Sequence, residues 1–162
     1  MIQHLPVRLI LAAALALGAG QLRAETAQLS TAQIQRVLAA AVAQAQSLGV
    51  PMGVSVVDAG GNLIGFIKMP GAFIHTNHTS FSKAYTAASV RRPNHETGIP
   101  PAVIEEIQAA TQGRFTDLPG GFPLVAQGQV VGGIGAAGGN AEQDVAVARA
   151  GAAALAPKEE KR

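Results

Sequence analysis

The chain has no cysteine and no tryptophan, a single tyrosine, and only 14% charged residues in a length of 162. Without cysteine it can be neither a disulfide scaffold nor a thiolate-ligated zinc module. With aromatics at 4% and no interleaving of those few with basic residues, it lacks the stacking platforms of a single-strand nucleic-acid binder. What it has in quantity is apolar side chains, 48%, and 19 glycines. That composition excludes a disordered tail, and the length suits one domain, or one domain with an appendage.

The formal charge of +2 is unevenly placed. Arg8 and the free amine precede Leu9 to Ala19, which carry no polar side chain, and Gly20 to Ala24 return to small and polar residues. A short positive start, an apolar run and a small residue before a cut describe a secretory signal peptide. The run falls short of the roughly 20 apolar residues that span a bilayer. The expectation is a signal over 1–24 cut after Ala24, a single domain over 25–157 and a charged tail over 158–162, in a periplasmic or secreted protein that leaves the membrane once cut. Residues 1–24 hold Arg8 and Arg23 and no acid, so the remainder is formally neutral. Its basic residues are scattered apart from Arg91-Arg92 and the tail, which excludes nucleic acid as a partner.

Ser30 and Gln33 form a capping box ahead of Ile34, Val37, Leu38, Ala41, Val42, Ala45 and Leu48 at helical spacing, and Gly49 and Pro51 end that helix. Met52–Asp58 and Leu63–Met69 read as strands around the turn 59–62. A second helix is expected over Thr79–Val90, with Phe81, Ala84, Tyr85 and Ala88 on its packing face. Three prolines and a glycine keep 91–101 irregular. A short helix follows over Ala102–Thr111 with Val103, Ile104 and Ile107 inward. A second hairpin spans Phe122–Ala126 and Val130–Ala137, and Asn140 with Gln143 caps a last helix that fades near Leu155. The two hairpins share a strand–turn–strand plan, as a weak internal repeat or as ordinary hairpin grammar.

Four features could carry chemistry. Gly133-Ile-Gly135-Ala-Ala-Gly138 matches a dinucleotide fingerprint literally, but no strand or acidic residue follows at the required distance. Its glycines then serve close packing of the last helix on the sheet. His75 and His78 fall at i, i+3 and share a face if helical. Alone they underligate zinc; they are polar loop residues or ligand contacts, including an axial bond to a haem iron. Thr79, Lys83 and Thr86 form a polar stripe, either a solvated face or the wall of a pocket for an anionic group such as a propionate. Tyr85 lies on the packing face. Neither a nucleophile elbow nor a phosphate loop nor paired carboxylates are present.

Val-Val-Asp-Ala-Gly-Gly-Asn-Leu at 56–63, Lys-Ala-Tyr-Thr-Ala-Ala at 83–88, Gly-Gly-Phe-Pro-Leu at 120–124 and Val-Val-Gly-Gly-Ile-Gly-Ala-Ala-Gly-Gly at 130–139 together resemble the GlcG/HbpS-like haem-binding family. That family includes the C-terminal domain of PduO-type proteins and is often labelled a haem-degrading domain. Glu-Gln-Asp at 142–144 and the Ala/Gly-rich helix also resemble its ending. The resemblance implies an α+β, profilin-like three-layer α/β/α fold. Its antiparallel sheet would have about five strands, one of them a central strand that the hairpin reading does not place. It further implies homo-oligomers and binding of haem or iron, but no axial ligand carries over by position.

The resulting expectation is an exported haem-binding accessory protein, a carrier or sensor more than a catalyst. His75, His78, Lys83 and Tyr85 are the candidate haem contacts, with His78 on the metal and Lys83 toward a propionate. The alternatives are an enzyme acting on haem or a small molecule in the same pocket, and a non-catalytic partner of a periplasmic oxidoreductase.

Overall fold

The computed structural model of the protein describes residues 28–155. The expected signal segment, its cut after Ala24 and the charged tail lie outside the described residues.

Helix α1, Thr31–Ser47, starts at the expected capping box: Gln33 N donates to Ser30 Oγ (3.3 Å), and Ser30 N to Gln33 Oε1 (2.8 Å). Each bond satisfies an amide that the first helical turn leaves free. Strands β1, Gly53–Asp58, and β2, Leu63–Lys68, form the first hairpin. Its turn is held by Asp58, whose Oδ1 accepts from Gly60 N (2.8 Å) and Asn62 N (2.9 Å). Helix α2 is Thr76–Val90, a 3-10 turn occupies Asn94–Glu96, and helix α3 is Pro101–Ala110. The second hairpin is β3, Gly121–Ala126, with β4, Gln129–Ala137. Helix α4, Ala141–Ala153, is capped by Asn140 and Gln143 as expected.

All pairings are antiparallel, in the order β2-β1-β4-β3. The two hairpins meet through β1 and β4, paired from Gly53 opposite Ala137 to Asp58 opposite Gly132. The fold is α+β with helices on both faces of the sheet, and among the described residues the sheet has four strands, where about five were expected. Among the described residues no strand lies between the hairpins, because β1 and β4 bond to each other directly.

Strand alternation then divides the two faces. Val54, Val56, Ile134, Ala136 and Leu124 pack with Val37, Leu38 and Ala41 of α1 and Val147 and Ala148 of α4, forming the main core. The opposite face carries Gly53, Ser55, Val57, Gly133 and Gly135, and α2 lies on it. A side chain on Gly133 would strike the carbonyl oxygen of Ala84, and one on Gly135 that of Ser80. Gly133 and Gly135 therefore serve the packing of α2, not of the last helix. Gly138, with φ of +138°, passes close to Pro51 and Met52. Of the expected inward residues of α3 only Ile104 is buried; Val103 is exposed and Ile107 half-buried. The reason is placement: α3 makes no extended contact with any strand or helix.

Candidate functional site

Helix α2 begins three residues earlier than the sequence pattern suggests, at Thr76, because the segment before Thr79 can bond to itself. Thr76 Oγ1 donates to Phe73 O (2.7 Å) and Thr79 Oγ1 to His75 O (3.2 Å). Ala84 and Ala88 pack against Val57 of the sheet as expected, but the buried side of the helix also carries the polar Thr76, Ser80, Lys83 and Thr86. Buried hydroxyls need partners, and the helix and sheet supply them. Ser80 Oγ donates to Thr76 O (2.6 Å) and lies 2.7 Å from Ser55 Oγ. Thr86 Oγ1 donates to Ser82 O (2.9 Å) and accepts from Thr116 N (2.8 Å).

Lys83 is 4% exposed and Asp144, in the first turn of α4, 5%. Lys83 Nζ donates to Asp144 Oδ2 at 2.6 Å and to Ala136 O at 3.0 Å. Asp144 Oδ1 accepts from Gly139 N at 2.9 Å. One ion pair thus ties α2, β4 and α4 together. An ammonium has three N–H donors, so one of Lys83's remains beyond these two bonds. The pair closes the bottom of a cleft of about 320 Å³. One wall is Phe73, His75 and Thr79; the second is Leu118 and Pro119; the third is the end of β4 and start of α4, Ala137, Gly138, Gly139 and Ala141.

The wall at Leu118 is set by Asn94. This fully buried side chain donates through Nδ2 to Thr116 O (3.0 Å) and Leu118 O (2.7 Å), and its Oδ1 accepts from Gly121 N (2.8 Å). Two residues on, Gly120 has φ of +118° and so near an approach that a Cβ would lie 2.8 Å from Ala136 O. A glycine is required there on both counts.

The mouth of the cleft is apolar and aromatic. Of its lining residues, Phe73 is 61% exposed and Leu118 55%. The rings of Phe73 and His75 stack with centroids 5.6 Å apart and planes 12° from parallel. Exposed apolar side chains gathered in one place mark an interaction site more often than single ones do.

Of the four residues singled out in the sequence, His75 and Lys83 line this cleft. The stripe that contains Lys83 is no solvated face, since Lys83 and Thr86 are buried. His78 is exposed on α2 and does not line the cleft. Tyr85 sits elsewhere, half-buried against Gly61 of the first hairpin turn and 6.1 Å from the ring of Phe81. It borders a separate hollow of about 130 Å³ with Gly60, Gly61 and Ala88. The described residues contain no group of three or more His, Cys, Asp or Glu able to hold a metal ion. Asp144, Asn94, Phe73 and Leu118 are not among the candidate contacts that the sequence offers. An acidic residue one turn into the last helix was the available signal for Asp144.

The chain matches the family described as haem-degrading protein HbpS-like over residues 29–153. It is 35% identical over 123 residues to an uncharacterized 15.0 kDa protein of the dhaT-dhaS intergenic region of Citrobacter freundii, covering 74% of this chain and 87% of that one. It is 32% identical over 130 residues to the corrinoid adenosyltransferase PduO of the same organism. That alignment covers 78% of this chain but only 39% of PduO. Among solved structures, a complex of PduOC with haem superposes with a TM-score of 0.72 at 33% identity, covering 79% of this chain and 95% of that one.

Proposed function

Because the chain belongs to the HbpS-like family, we propose that it is an exported haem-binding accessory protein, a carrier or sensor rather than a catalyst. The observation that carries this reading is the exposed rim of Phe73, His75 and Leu118 around a cleft with a charged floor. The solved haem complex of PduOC, similar along most of this chain, supports it.

The residues present suit such a group. Bound haem would supply an iron centre that takes axial ligands and changes redox state. Phe73, Leu118 and Pro119 offer apolar surface to a flat macrocycle. His75, at the cleft wall, offers an imidazole for the iron, and the remaining N–H of Lys83 offers a donor to a carboxylate edge. His78, three residues on, is the competing imidazole from outside the cleft. Tyr85, remote from this rim, supports the first hairpin turn in this reading.

Export rests on the pattern of residues 1–24, and cell fractionation tests it. Self-association belongs to the same proposal, with the exposed Leu63 and Phe66 of edge strand β2 as its support.

Titration of the purified chain with hemin, followed at the Soret band, decides the central claim. A saturable shift at micromolar hemin is expected, and its absence sinks the proposal. A carrier or sensor also keeps its haem under reductant and oxygen; loss of the Soret band with product release would make the protein an enzyme. His75→Ala is expected to change the spectrum and His78→Ala to leave it. The reverse pattern would move the iron to His78.

A further inference from the structure

Stability does not explain the Lys83–Asp144 pair. Desolvating two ions cancels much of their attraction, and an apolar pair of similar volume would join α2 to α4 at least as well. The apolar rim likewise owes nothing to a carboxylate 2.6 Å from the amine. Polar groups that converge on the floor of a cleft mark it as a place where a small molecule binds.

The geometry points to a carbonyl-capture site: Lys83 Nζ forms a reversible imine with a small aldehyde or ketone that enters the cleft, and Asp144 carries the protons. Asp144 Oδ2, 2.6 Å away, takes one proton from the ammonium and frees the nitrogen lone pair. That pair adds to the carbonyl carbon, and the carbonyl π electrons pass to oxygen, which takes the proton back. A second N–H proton then leaves with the hydroxyl as water, so that amine and carbonyl compound become imine and water with no other reactant. Burial is what readies a lysine for this step, and the carboxylate in contact with it is the group that takes and returns the proton. Ala136 O, accepting one N–H at 3.0 Å, limits rotation of the amine. Gly138 and Gly139 form a wall of the cleft without side chains. This site goes beyond haem binding and does not rest on it.

The test treats the full chain with acetaldehyde and cyanoborohydride, which reduces imines to stable N-ethyl lysine, and quantifies each lysine by peptide mass spectrometry. Lys83 is expected to label about tenfold or more faster than the exposed Lys68, because Lys83 has a carboxylate in contact with its amine to carry protons. Asp144→Asn, with folding checked by circular dichroism, is expected to slow Lys83 below Lys68 and leave Lys68 unchanged. A purely structural ion pair gives the opposite on both counts. Lys83 would then be the more protected lysine, and Asp144→Asn would release it to label faster; either result overturns the proposal. A chain that binds hemin but does not label Lys83 loses this site alone, and one that labels Lys83 without a Soret shift loses the haem reading alone.

Discussion

The carbonyl oxygen of Ser80 occupies the place where a side chain on Gly135 would begin. Helix α2 can lie flat on the sheet only because β4 offers backbone there, and the position of Lys83 at the end of the cleft follows from that contact. Gly135→Ala forces helix and strand apart. Overpacking of this kind costs about 1–3 kcal/mol, and more where the obstacle is backbone. Urea denaturation is expected to show a lower midpoint at unchanged slope. An unchanged midpoint would mean that α2 is not seated as described.

Asn94 makes an equally local prediction. Asn94→Ala removes both donors and the acceptor that hold 116–121. Each buried group left unpaired costs about 1–3 kcal/mol. The loss is expected to appear first in the Leu118 wall, as faster amide exchange at Gly121, with α1 and α4 exchanging as before. Uniform acceleration across the chain would instead assign Asn94 to global stability.

These two residues show what the sequence could and could not convey. Ser30–Gln33 and Asn140–Gln143 are short-range patterns whose physics is complete within one helical turn, and both caps stand where they were read. The hairpins were legible for the same reason, since each turn is local. Lys83 was ambiguous because a polar stripe at helical spacing looks the same whether it faces water or a buried carboxylate, and Asp144 is 61 residues away. His75 caps the start of α2 and His78 lies in its first turn, yet only His75 lines the cleft, a difference decided by where Phe73 and the Leu118 loop come to rest. Asn94 was hidden in a proline-rich segment, where composition says only that the chain is irregular.

Removing one member of the Lys83–Asp144 pair is predicted to be far worse than removing both. Lys83→Met leaves a buried carboxylate without its partner, a loss of about 3–5 kcal/mol. The double change Lys83→Met with Asp144→Leu replaces ions by apolar groups of similar volume and is expected to recover most of that loss. Thermal denaturation of the two singles and the double completes the cycle. Additive losses would show that the two side chains act independently, against their 2.6 Å separation.

The last prediction concerns acid. Burial works to raise the pKa of Asp58, but hydrogen bonds from the Asn62 side chain and from the backbone amides of Asn62, Gly60 and Gly61 outweigh it and hold the pKa below the ordinary 3.8. The unfolded chain therefore takes up this proton more readily than the folded one. The resulting stabilisation is fully present above the ordinary value and is lost as the pH falls through the lower folded one. Asp58→Asn keeps an acceptor for the turn but carries no charge, so it lacks this pH-dependent part. Wild type should be the more stable of the two at about pH 7, with the gap closing as the solution is taken below the ordinary carboxylate range. Paired urea titrations across that range measure it. A gap that stays constant into strong acid would show that the turn is held by the shape of Asp58 and not by its charge.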